Sequence, residues 1–170
     1  MLENNNTYLF LDIDGVLTTP RQRLYSNQDK WDKRFNIYNF DMKAVKVLNE
    51  ILEETNPIII LSSDWRINYD INTLNDIFVH NKVNEVITDT TEDFWGDRSL
   101  SLYHSELEMY RANEIIAYVH NYQIKNYVVV DDFNLAEWFP NNFVHTSKVN
   151  MVIKQTGIKE KIIKILNNEK

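Results

Sequence analysis

Apolar and polar positions fall into blocks along this chain. Residues 8–11, 58–61 and 127–130 are unbroken apolar runs. Short runs without alternation fit strands buried on both faces. Between them, apolar residues recur at helical spacing, most clearly at Ala44, Val45, Leu48, Ile51 and Leu52. Asp41 stands where a helix needs a cap, and Pro57 ends the region. The pattern predicts strands at 8–12, 58–61, 85–88 and 127–131, and an edge strand at 143–145. Helices are expected at about 41–55, 70–80, 106–122 and 157–167, with an irregular stretch at about 89–105. Buried strands alternating with helices give a three-layer α/β sandwich around a mainly parallel sheet of about five strands.

In such sheets, reactive side chains gather just beyond the carboxyl ends of the strands. Here those ends carry Asp12, Ser62 and the pair Asp131-Asp132. Asp12 and Asp14 are two residues apart on an extended chain, so they point the same way, and Gly15 permits a sharp turn behind them. Two neighbouring carboxylates repel unless something rewards the arrangement. A magnesium ion does so, because it prefers hard oxygen ligands. A reaction that uses one carboxylate as nucleophile does so too. The plain alternative is a strand end with two solvated acids.

Bulk properties narrow the field. There is no cysteine, which excludes a disulfide framework, a thiolate nucleophile and a cysteine-ligated metal. No apolar run approaches the roughly 18 residues of a membrane span. The polar start, Met1 to Asn6, does not read as a signal peptide, so a cytoplasmic protein is expected. The net charge of −7 argues against indiscriminate binding of nucleic acid. It leaves room for a local basic patch at Arg21, Arg23, Lys30, Lys33 and Arg34. With three glycines, three prolines, no repeat and no linker, residues 1–170 are expected to form one domain.

The segment Asp12-Ile-Asp-Gly-Val-Leu17 resembles the first motif of the haloacid dehalogenase (HAD) superfamily, in its phosphatase branch. The resemblance implies a Rossmann-like sheet and a magnesium-dependent phosphotransferase, with Asp12 as nucleophile and Asp14 as general acid and then base. It implies a serine after the second strand to bind the phosphoryl group, which is Ser62, or alternatively Ser63. It implies a cation before the fourth strand, for which Arg111 is the best candidate and Arg98 and Arg66 are rivals. It implies acids after the fourth strand, so Asp131 and Asp132 join Asp12 and Asp14 in holding Mg2+, Asp14 through its backbone carbonyl. Ser63, Arg66 and Gly15 are placed on the substrate side. These motifs span about residues 8–135.

Members of this superfamily select substrates largely through inserts. The segments at about 18–40 and 89–105 are too short for full cap domains, so a minimal cap and an open site are expected. "SSDWR" and Arg111-x-x-Glu114-Ile115 resemble the small HAD domains of Swiss Army Knife RNA-repair proteins. "DDFNLAEWF" is similar to the phosphatase half of bacteriophage polynucleotide kinase-phosphatase. Tyr25, Trp31 and Phe35 interleave with the cations of residues 21–34, where rings can stack on bases while cations hold phosphates. The same rings could instead only pack the flap, as could Trp65 and Trp138. The expected substrate is a polynucleotide 3′-phosphate or a nucleotide, with Arg66 a candidate for a second phosphate. The rival readings are a small-metabolite or phosphoprotein phosphatase, and a non-catalytic module that binds magnesium and phosphate. The four histidines lack metal-ligand spacing.

Overall fold

The computed structural model describes residues 6–19, 31–96, 103–146 and 152–169. Its centre is a five-stranded parallel sheet. In chain order the strands are β1 (Thr7–Leu11), β4 (Ile58–Leu61), β5 (Ile87–Thr90), β6 (Asn126–Asp131) and β7 (Phe143–His145). Across the sheet they run β5-β4-β1-β6-β7. A small antiparallel hairpin, β2 (Trp31–Asp32) and β3 (Ile37–Tyr38), stands apart from the sheet. The helices are α1 (Met42–Thr55), α2 (Trp65–Asn68), α3 (Ile71–His80), α4 (His104–Asn121) and α5 (Ile158–Leu166), with a 3-10 turn at Val152–Lys154.

The pleat divides the strand side chains between two cores. Leu9, Leu11, Ile59, Leu61, Val128 and Val130 face the apolar stripes of α1, α3 and α5. Phe10, Ile60 and Val129 face the other way, against Ala112 and Ile115 of α4 and against Leu135, Phe139 and Phe143. This explains why the central runs show no alternation: each residue has a hydrophobic layer to enter. Phe10 is fully buried and meets Tyr118 and Tyr127 edge-on at 5.6 and 5.8 Å. The expected sheet and its two helical layers are therefore present.

Several boundaries differ from the sequence reading, each for a local reason. The strand expected at 85–88 begins at Ile87. The Asn75 side-chain amide pairs with both the N–H and the C=O of Ile87, which sets the start of β5. The helix expected from 106 begins at His104, because the Glu106 carboxylate accepts the Tyr103 N–H and closes an earlier first turn. Arg111 therefore lies two turns inside α4 rather than at its opening. The hairpin β2–β3, the four-residue α2 and the 3-10 turn were not expected. Residues 20–30 and 97–102 lie outside the described residues, so Tyr25, Arg98 and most of the basic patch cannot be placed.

Candidate active site

Register brings the reactive groups together. Leu11 pairs with Leu61 on one side and with Val130 on the other. One residue further on, Asp12, Ser62 and Asp131 leave three adjacent strands at the same level. Backbone bonds fix that level: Asp12 N–H donates to Val130 O at 3.1 Å, and Ser62 N–H to Leu11 O at 2.9 Å.

Carboxylate oxygens of Asp12, Asp131 and Asp132 lie within 4.8 Å of one another. Asp12 and Asp131 are buried. Burial, together with the neighbouring Asp131 charge, pushes the Asp12 pKa up to about 8, against the opposing pull of Arg111 and the Ser63 hydroxyl. Burial likewise pushes Asp131 up to about 6, again opposed by Arg111. Hard oxygen donors that resist sharing a space suit a divalent cation, which offsets their repulsion. The donor set therefore fits magnesium. The Asp14 carboxylate does not join the cluster. Thr18 Oγ1 donates to its Oδ1 at 2.8 Å, and Trp65 Nε1–H donates to its Oδ2 at 2.9 Å. The expected contribution of Asp14 to the metal is its backbone carbonyl, which these two side-chain bonds do not engage.

Gly15 has φ +80°, and a Cβ built on it would stand 2.2 Å from Asp132 Oδ2. The missing side chain leaves room for the Asp132 carboxylate. The Gly15 carbonyl accepts from the buried Thr146 hydroxyl at 2.9 Å, a tie from the end of β7 that no sequence motif signalled.

Arg111 enters from α4 and spans the acids. Its guanidinium lies 2.8 Å from Asp131 Oδ2, 3.4 Å from Asp12 Oδ1, 3.1 Å from Asp64 Oδ1 and 3.7 Å from Glu114 Oε2. It also donates to the Ser62 carbonyl. Burial alone would favour its neutral form, but the surrounding carboxylates outweigh that and hold it charged. Arg111 therefore sits where the expected cation belongs.

Arg66 does not face the acid cluster as expected. Its side chain is 4% exposed and bonds Glu114 Oε2 at 2.6 Å and the Ser63 carbonyl at 2.7 Å. Glu114, itself 3% exposed, also accepts the Phe94 N–H at 3.0 Å. Glu114 thus lies between Arg66 and Arg111, at 2.6 Å from one guanidinium and 3.7 Å from the other. Ser62 and Ser63 are each 1% exposed, and neither hydroxyl makes a well-formed hydrogen bond. Buried polar groups left in this way mark a place for a ligand.

Sequence reasoning missed Asp64, Glu114, Thr18 and Trp65 as parts of the site. "SSDWR" was singled out, but its Trp was read as packing or stacking, because nothing in a sequence shows an indole N–H aimed at a carboxylate. His104 pairs with Glu108 at 3.3 Å and packs on Phe133. Among the described residues, no helix is long and apolar enough to cross a membrane.

Comparison with curated proteins and with solved structures gives no significant match. Residues 8–156 match the family of the HAD domain in Swiss Army Knife RNA repair proteins, and the chain belongs to that family.

Proposed function

We propose that this protein is a magnesium-dependent phosphomonoester hydrolase that works through an aspartyl-phosphate on Asp12. Its substrates are polynucleotide 3′-phosphate ends or nucleotides. The single observation that carries the reading is the placement of Arg111 between Asp12 and Asp131 at the end of the central strands, beside two buried serine hydroxyls without a well-formed hydrogen bond among the described residues. One arginine against so many acids does not balance their charge; an added divalent cation does, and a phosphoryl group then finds both cations and hydroxyl donors.

The chemistry runs in two displacements. An Asp12 carboxylate oxygen attacks phosphorus, and the bond from phosphorus to the leaving-group oxygen breaks. Asp14 donates a proton to that oxygen as it departs. Asp14, now ionised, takes a proton from water as the water oxygen attacks the same phosphorus. The bond between phosphorus and Asp12 breaks, which restores the carboxylate and releases inorganic phosphate. Arg111 and the Ser62 and Ser63 hydroxyls hold the phosphoryl oxygens through both steps. Magnesium, held by Asp12, Asp131 and Asp132, would supply charge neutralisation. Trp65 and Thr18 fix the Asp14 carboxylate at the side of the site where the leaving group must stand.

The family of RNA-repair HAD domains supports a nucleic-acid or nucleotide substrate. The test is phosphate release with and without magnesium, from an aryl phosphate, nucleoside monophosphates and a 3′-phosphorylated oligonucleotide. Release is expected to need magnesium and to fall at least about a thousandfold in Asp12→Asn. Release that survives either loss would overturn the mechanism.

A further inference from the structure

Beside Asp14 lies an open cleft of about 380 Å³. That is within the roughly 300–1,000 Å³ typical of small-molecule sites. One wall is the β2–β3 hairpin, with Trp31, Asn36 and Tyr38; the other is α2 and the residue after it, with Trp65, Asn68 and Tyr69. The hairpin is not loosely hung. Phe35 and Ile37 are buried in the main core, Tyr69 Oη donates to the Phe35 carbonyl at 3.0 Å, and His80 Nε2 lies 2.6 Å from Asp32. Phe35 is thus a packing ring, as one sequence reading allowed. Trp31 is different. It is 36% exposed, and its ring packs edge-on against Tyr38 at 4.8 Å while lining the cleft.

We propose that this cleft is the leaving-group site and that it takes a nucleoside, with the base lying among the rings of Trp31, Tyr38, Trp65 and Tyr69. The proposal rests on the phosphatase reading above, which makes Asp14 the proton donor to the leaving oxygen. The leaving group must then occupy the space that Asp14 borders, and this cleft is that space. Its described lining combines four aromatic rings with the side-chain amides of Asn36 and Asn68. A planar, uncharged group that also needs hydrogen bonds matches them. A sugar phosphate without a base would leave the rings wet, a phosphoserine or phosphothreonine peptide brings no ring at the leaving group, and a phosphotyrosine ring lacks the hydrogen-bonding edge of a base. Trp65 ties the two functions together: its N–H holds Asp14 while it lines the cleft, so a base seated there bears on the residue that positions the acid.

A nucleoside could come from a free mononucleotide or from the terminal residue of a strand. Binding is measured by tryptophan fluorescence, which needs no turnover, using a nucleoside 3′-monophosphate, ribose 5-phosphate, inorganic phosphate and a 3′-phosphorylated oligonucleotide. Phosphate release from the same compounds is measured in parallel. The nucleotide is expected to bind about tenfold or more tightly than ribose 5-phosphate, a ratio set by stacking. Trp31→Ala is expected to collapse that ratio, mainly through Kd and KM, and Trp31→Phe to restore most of it. An oligonucleotide that binds more tightly than the mononucleotide, with steep salt dependence, identifies a strand end as the source; equal affinity identifies the free nucleotide. Equal binding of nucleotide and ribose 5-phosphate, or a ratio unchanged in Trp31→Ala, would overturn the cleft assignment. A base preference without phosphate release from any compound would overturn the phosphatase reading and leave the cleft standing.

Discussion

At the scale of single residues, the site depends on space as much as on charge. Gly15→Ala puts a methyl group where the Asp132 carboxylate stands, at a backbone angle that favours glycine. It is expected to weaken apparent magnesium affinity about 10- to 100-fold, read from the magnesium dependence of phosphate release or by calorimetry. Asp12→Asn acts in two directions. Activity is expected to be lost, yet the metal-free protein should be more stable than wild type near pH 8, because burial and the Asp131 charge disfavour an ionised Asp12 and the amide carries no charge there. Urea unfolding in chelator tests this. Glu114→Gln leaves the buried Arg66 without its counter-charge. A loss of roughly 3 kcal/mol in unfolding free energy is expected, with much of it recovered when Arg66→Met is added.

At the scale of elements, the decisive features are those that aim the strand ends. Asp41 caps α1 by accepting from the Lys43 and Ala44 N–H groups at 2.8 and 3.2 Å, and it also pairs with Lys154. Asp41→Ala is expected to cost about 1–2 kcal/mol by urea unfolding. This cap, like the strands at 58–61 and 143–145, was legible in the sequence, because its signals are short-range: a capping acid before an apolar stripe, or an unbroken apolar run. The hairpin was not legible. Two-residue strands carry no period, and its anchors, Phe35 and Tyr69, lie far apart in sequence. The start of β5 was misplaced for the same reason, since Asn75 sets it from another helix. Asp12, Ser62 and Asp131 were readable as one set because each follows a buried apolar run, and parallel strands bring their carboxyl ends to one edge of the sheet. The turning of Arg66 toward Glu114 was not readable, because it depends on which face of a four-residue helix the side chain follows.

At the scale of the whole molecule, charge links the cation to stability. The folded, metal-free protein holds Asp12 and Asp131 at about 8 and about 6, above the ordinary carboxylate value of 3.8. Between those limits the folded state binds more protons than the unfolded one, so stability from these groups falls as pH rises from about 4 to about 8. A magnesium ion bound at the cluster would replace those protons. The rise in Tm that it causes should therefore be larger at about pH 8 than at about pH 5. A thermal-shift series in magnesium, with chelator as reference, checks the sign. A rise that is equal at both pH values would contradict magnesium binding at this cluster.

The covalent role of Asp12 is tested most directly by trapping the intermediate in Asp14→Asn. An aryl phosphate has a good leaving group and needs little help from an acid, so the first displacement proceeds. The second lacks its base, so the phosphoenzyme should accumulate. Mass spectrometry after a rapid acid quench is expected to find one phosphoryl group on the peptide that contains Asp12, dependent on magnesium and absent when Asp12→Asn is added. Steady phosphate release from Asp14→Asn with no phosphoryl group on Asp12 would contradict the covalent route.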